Sequence, residues 1–174
     1  VLMPVYPFGP NENLLDELTE IPPTPPGGEH IFGTDDRGRD VFARLVYGFN
    51  IGLSFSLIVT LFSYLIGISV GAMLGFFGGK VDILGQRFIE IWSTLPFLFV
   101  MIIISSILNP NFWLLTIVLT LFGWMGMTYY VRGEFYREKA RDYVSAALSM
   151  GAKNSTIIFK HILPNSLSPV IVTS

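Results

Sequence analysis

Residues 91–131 read IWSTLPFLFVMIIISSILNPNFWLLTIVLTLFGWMGMTYYV, 41 residues without Asp, Glu, Lys, Arg or His. As one helix, at about 1.5 Å per residue, this run would be roughly twice the ~30 Å thickness of a bilayer's hydrocarbon core. It has to fold back, and Asn109-Pro110-Asn111 supplies the turn residues. Working outward, Leu45–Gly79 is a second run of 35 residues without a titratable charge. The whole chain is 51% hydrophobic and only 14% charged, whereas a soluble domain is about 25% charged. Continuous apolar runs this long exceed anything a soluble core helix needs. The expectation is an all-α, polytopic membrane bundle with three spans near 51–77, 89–108 and 112–131.

Charge placement orients the bundle. Eight of the thirteen acids lie between Glu12 and Asp40, and six of the eleven bases between Arg132 and Lys160. The 80–90 loop carries Lys80 and Arg87, and the 109–111 turn carries no base. By the positive-inside rule the tail and the 80–90 loop are cytoplasmic and the acidic first segment, 1–44, is extracytoplasmic. Arg37, Arg39 and Arg44 dissent, three against eight. Trp113 and the Tyr129-Tyr130 pair stand at opposite ends of the third span, as interfacial aromatic belts require.

Span one holds Gly67, Gly71 and Gly75 at four-residue spacing, continued upstream by Gly48, Gly52 and Ser56. Small residues in such a row let helix backbones approach closely in lipid, so this face packs against another span, of this chain or of a partner subunit. Pro96, one turn inside span two, is expected to bend it.

The first thirty residues lack apolar periodicity, and the run from Pro22 to Gly28 has the composition of an extended linker. From Asp40 a short helix should lead into span one, with Asp35, Asp36, Arg37, Arg39, Asp40 and Arg44 pairing locally. After span three, Tyr136, Ala140, Tyr143, Ala147 and Gly151 recur at helical spacing while Arg137, Lys139, Arg141 and Asp142 lie elsewhere. This predicts one amphipathic helix ended by Gly151 in a left-handed conformation. Asn154 or Ser155 is positioned to cap a second helix carrying Ile157, Ile158 and Ile162 up to Pro164. Spacing alone leaves a plain surface helix near anionic lipid equally open. Residues 164–174 open a further apolar run that stops short of a span, which reads as a fragment. The opening Val1-Leu2-Met3-Pro4 has no basic region of the signal-peptide kind, and the absence of cysteine removes disulfides and thiolate metal sites.

The tail also carries a motif. Ala146-Ala147, then Gly151, then nine residues, then His161-Ile162-Leu163-Pro164 resembles the E-A-A-x3-G-x9-I-x-L-P cytoplasmic loop of ABC importer (type I) permeases. Ser145 stands where that pattern has glutamate and His161 where it has isoleucine; His-x-Leu-Pro-Asn is the form of the peptide-transporting branch. Gly33-Thr34-Asp35-Asp36, Gly38-Arg39-Asp40 and Arg44 to Gly48 resemble the segment before the second span of dipeptide/oligopeptide C-type permeases. Gly78 to Asp82, Gln86 to Glu90 and Pro110 to Trp113 resemble the microcin C/oligopeptide branch.

The resemblance implies a multi-pass bacterial inner-membrane subunit of an ATP-driven peptide importer, holding the second to fourth of six spans and the start of a fifth. Its coupling loop, 132–163, would include Tyr143, Ala146, Ala147, Gly151, His161 and Leu163, with Pro164 closing the motif. Within it, the 142–151 helix would sit in a groove of an ATP-binding cassette subunit. The other implied partners are a second permease subunit, an extracytoplasmic substrate-binding protein and membrane lipid, with no nucleic acid.

The chain itself is expected to bind no cofactor and to be no enzyme. His30 and His161, the only histidines, are predicted on opposite sides of the membrane, so no histidine-based triad or metal site assembles. Gly79-Lys80 does not complete a phosphate loop, because Leu74 holds the first glycine position and Val81 the hydroxyl position. A secondary transporter or channel is the rival reading. Ion-coupled transporters place acids or histidines inside their spans, where a charge costs at least roughly 2.5–3.5 kcal/mol, and these spans hold none apart from Glu90 at the very edge of the second.

Overall fold

The computed structural model describes residues 7–12, 14–15 and 21–166. It divides into two compact units, Val1–Ser56 and Leu57–Ser174. The described residues form helices, turns and two isolated β-bridges, with no strand.

In the first unit the proline-rich run is folded rather than a free linker. Thr24 donates its amide to the Thr34 hydroxyl at 3.1 Å, and the Thr34 amide donates to the Thr24 carbonyl at 3.2 Å. Gly33 makes this approach possible: its φ is +70°, and a Cβ there would lie 2.2 Å from the Thr24 carbonyl oxygen. Asp35 gathers the amides of Arg37 and Arg39 and the guanidinium groups of Arg39 and Arg44. Burial alone would raise its carboxyl, but the Arg39 side chain and the two amides outweigh it and hold Asp35 well below the usual carboxylate range. Asp40 is fully buried, contacts His30 Nδ1 at 2.8 Å, and accepts from the Ala43 amide at 2.7 Å. That last bond is an N-cap. The helix it starts, α1 (Val41–Phe77), therefore begins ten residues before the expected start of span one and runs without a break.

Among the described residues two helices are long and apolar enough to cross a membrane, α1 and α4 (Phe112–Lys139). The count is three if α2 (Gly79–Ser93) and α3 (Phe97–Ile107) form one broken span. Their axes differ by 64°. Pro96 cannot donate an amide and disfavours helix at Leu95, so the expected bend is a full break over Thr94 to Pro96. The turn at Asn109-Pro110-Asn111 separates α3 from α4, and the Asn111 side chain caps α4 by accepting from the Leu114 amide at 2.9 Å.

The second unit is held together by α1 lying against α4 through the glycine row. A Cβ on Gly67 would stand 2.8 Å from the Trp124 carbonyl, one on Gly71 2.7 Å from the Thr128 carbonyl, and one on Gly75 2.5 Å from Phe135 Cβ. The close approach lets the Thr128 hydroxyl reach the Gly67 carbonyl at 3.3 Å across the pair. In lipid such van der Waals fit and interhelical bonding replace the hydrophobic effect as the source of association. The upstream members of the row behave differently: a Cβ on Gly48 or Gly52 would meet nothing within 4 Å.

Candidate functional site

The end of α4 and the residues after it build a compact knot. α4 continues two turns beyond the expected end of span three, to Lys139. The single amphipathic helix expected over 136–151 is instead two. Arg141 is extended at φ −80° and ψ 151°, and α5 (Asp142–Ser149) starts after it. One contact distant in sequence and two local ones hold the chain at this break. Lys139 Nζ donates to the Phe76 carbonyl at the end of α1, where a cation complements the helix dipole, and lies 5.3 Å from the Phe76 ring centroid. Buried Glu138 accepts from the Tyr143 hydroxyl at 2.9 Å and pairs with Arg141 at 2.9 Å. Burial, with the Glu138 carboxylate beside it, pushes the Tyr143 phenol up, so it remains a neutral donor.

α5 closes as the sequence predicts. Gly151 has φ +78°, its amide donates to Leu148 at 2.9 Å, and the Ala152 amide donates to Ala147 at 3.0 Å. This is the paired bonding of a Schellman turn. Beyond it the chain departs from expectation. Lys153, not Asn154 or Ser155, occupies the cap position of the short α6 (Asn154–Thr156), and no side chain caps it. Residues Ile157–Ile162 form a π-helix, here α7, with the Leu163 amide bonded to the Ile158 carbonyl. Pro164 explains the wide turn: in a regular α-helix it would have no amide for Lys160 and its ring would crowd that carbonyl. Helix continues over 163–166, and the rest of the expected next span lies outside the described residues.

The knot has its own core. Val144, Ala147, Ile157 and Ile162 bury against Ala72, Phe76, Val131 and Phe135, with Tyr143 and Leu163 at the margin. The expected coupling residues are thereby divided. Ala147, at 4% exposure, packs into this core. Ala146 and Gly151 are exposed, as are Leu148 (47%) and Met150 (81%), which motif spacing did not single out. His161 sits half-buried with its ring centroid 6.4 Å from that of Tyr143, and its carbonyl accepts from Asn165 at 3.0 Å. Pro164 is exposed. No group of three or more His, Cys, Asp or Glu side chains suited to a metal ion occurs among the described residues.

This compact helical knot at the end of a membrane-length helix, closed by a glycine turn and a Leu-Pro pair, lies within the part of the chain that matches a known family. Residues 67–174 match the family described as binding-protein-dependent transport system inner membrane component. The chain belongs to that family. The family assignment and the apolar helices together make it an all-α membrane protein of the ABC-importer permease kind. It is 47% identical over 145 residues to the inner membrane ABC transporter permease protein YejE of Escherichia coli, covering 83% of this chain and 42% of that one. It is 38% identical over 173 residues to the dipeptide transport system permease protein DppC of Bacillus subtilis, covering 99% and 54%. It is 36% identical over 149 residues to the oligopeptide transport system permease protein OppC of the same organism, covering 86% and 49%. The chain thus spans about half the length of these relatives.

Proposed function

We propose that this chain is part of the membrane-spanning permease subunit of an ATP-driven ABC importer for peptides, in a bacterial inner membrane, and that α5 to α7 form its cytoplasmic coupling loop. The observation that carries the reading is the state of α5. Its inward face, Val144 and Ala147, is locked into the chain's own core, and its end is fixed by the Gly151 turn. Around the rest of the helix Ala146 and Leu148 are exposed, as is Met150 at its C-cap. A helix held this way acts as a rigid projection that transmits force to α4, which a loosely adsorbed surface helix would not do. The peptide cargo is supported by the similarity to the dipeptide and oligopeptide transport system permeases.

In this reading an ATP-binding cassette subunit receives the exposed edge of α5, and hydrolysis there rocks α4 and the helices packed on it. A second permease subunit completes the path, and an extracytoplasmic substrate-binding protein delivers the peptide. No bond is made or broken by this chain, so it is not itself an enzyme and needs no cofactor. The test is uptake of labelled di- and oligopeptides by the full-length subunit reconstituted with its binding protein, second permease and ATPase. Uptake should require both ATP and the binding protein. Uptake that survives loss of ATP hydrolysis would overturn the proposal in favour of a secondary transporter.

A further inference from the structure

We infer that Asp82, Arg132 and Tyr136 are positioning residues that clamp α2 to α4, so that motion of the coupling loop arrives at the 64° break between α2 and α3. The inference rests on the ATP-driven reading above and adds the route within this chain.

The α1–α2 junction is compliant by itself. Gly78 and Gly79 both have left-handed φ, +63° and +53°, and no side chain caps the start of α2. One turn in, Asp82 is only 7% exposed. Its Oδ1 accepts from Arg132 Nε, and its Oδ2 accepts from Arg132 Nη2 at 2.7 Å and from the Tyr136 hydroxyl at 2.8 Å. The guanidinium lies 5.0 Å from the Tyr136 ring centroid, which fixes its plane. A two-pronged guanidinium–carboxylate contact is both strong and directional. It is the one ion pair joining α2 to α4 among the described residues.

The rest of α2 is seated on the same body. Ile89 buries with Leu74 and Trp124, and Trp92 Nε1 donates to the Leu121 carbonyl at 3.0 Å. Beyond the break the seating is slighter: Phe97, at the start of α3, meets Phe122 of α4 with ring centroids 5.4 Å apart, but no residue of α3 is buried. α2 is therefore tied at both ends to α4, while α4 runs directly into the Glu138–Arg141–Tyr143 knot that holds α5. A displacement of α5 moves α4 and α2 together, and the first place where the chain is free to change angle is Thr94 to Pro96. With the clamp open, the Gly78-Gly79 turn would absorb the movement instead.

The test measures peptide imported per ATP hydrolysed by the reconstituted full-length transporter. Asp82→Asn should leave ATP hydrolysis running while import per ATP falls at least about tenfold, since a neutral amide cannot hold the guanidinium in a charge-assisted two-pronged contact. Tyr136→Phe should lower it less. To separate this from misfolding, an Asp82→Cys/Arg132→Cys double variant is assayed before and after bridging with a bis-methanethiosulfonate; bridging should restore import per ATP in the same sample. An unchanged ratio in Asp82→Asn, or hydrolysis and import falling in proportion and staying low after bridging, would overturn the clamp. Wild-type import that needs no ATP would instead overturn the reading on which the clamp rests.

Discussion

Replacing Gly151 by asparagine, alanine or valine should grade transport through backbone strain alone. A Cβ at this position would meet nothing within 4 Å, so no side-chain clash contributes. The φ of +78° does contribute. An L-residue in that conformation costs about 1–2 kcal/mol, and asparagine costs less because its side chain bonds locally. At about 1.4 kcal/mol per tenfold, alanine should shift the turn roughly 5- to 30-fold towards other conformations, and a β-branched residue further. What is lost is the pair of bonds from Gly151 to Leu148 and from Ala152 to Ala147, and with them the fixed end of α5. The assay is ATP-driven peptide uptake by the full-length transporter, normalised to inserted protein. Uptake should fall in the order glycine, asparagine, alanine, valine, with valine close to background and insertion unchanged. Wild-type uptake from the valine variant would refute the reasoning, and so would equal losses from asparagine and valine.

Three further outcomes are expected. Gly71→Val should loosen the α1–α4 pair, because its Cβ would stand 2.7 Å from the Thr128 carbonyl where backbone cannot yield; a cost of about 1–3 kcal/mol is expected for such overpacking, read as a lower unfolding midpoint in detergent, whereas Gly48→Val should leave it unchanged. Asp35 has a depressed carboxyl, so its contribution to the outer segment should be complete above the ordinary aspartate value of about 3.9 and be lost only as pH falls well below it; hydrogen exchange of amides 30–45 should therefore stay slow down to about pH 4 in the wild type and be faster at neutral pH in Asp35→Asn. A cysteine at Asn109, which leaves the Asn111 cap intact, should react with impermeant reagents from outside only; labelling from the cytoplasm would reverse the topology.

Several features decided by a few neighbouring residues are legible in the sequence, whereas contacts between residues distant in the chain are not. The charge-free runs, the Asn109 to Asn111 turn and the left-handed glycine at 151 are each decided within a few residues. The Gly67, Gly71 and Gly75 row announced close packing, but which helix it met depends on Thr128 and Phe135, some sixty residues away. The break at Ala140-Arg141 has neither glycine nor proline to mark it; it exists because Lys139 is drawn to the end of α1 and Glu138 holds Tyr143. At Pro164 the proline widens the preceding turns into a π-helix rather than ending the helix. Asp82 and Arg132 looked like ordinary loop and tail charges, as nothing local pairs residues fifty positions apart. Helical spacing put Ala147, and not Ala146, on the apolar face, but that this face meets Phe135 and Ile162 is set by residues distant from it.

The most direct test of the coupling-loop assignment is a cysteine scan over 142–151, a stretch without native cysteine, in the full-length permease assembled with its ATP-binding subunit. Cysteines at Ala146, Leu148 and Met150 should crosslink to that subunit, with yields that change on ATP binding, while those at Val144 and Ala147 should not. Crosslinking from the buried positions but not from the exposed ones, or no crosslink at any position in an ATPase-active complex, would contradict the account.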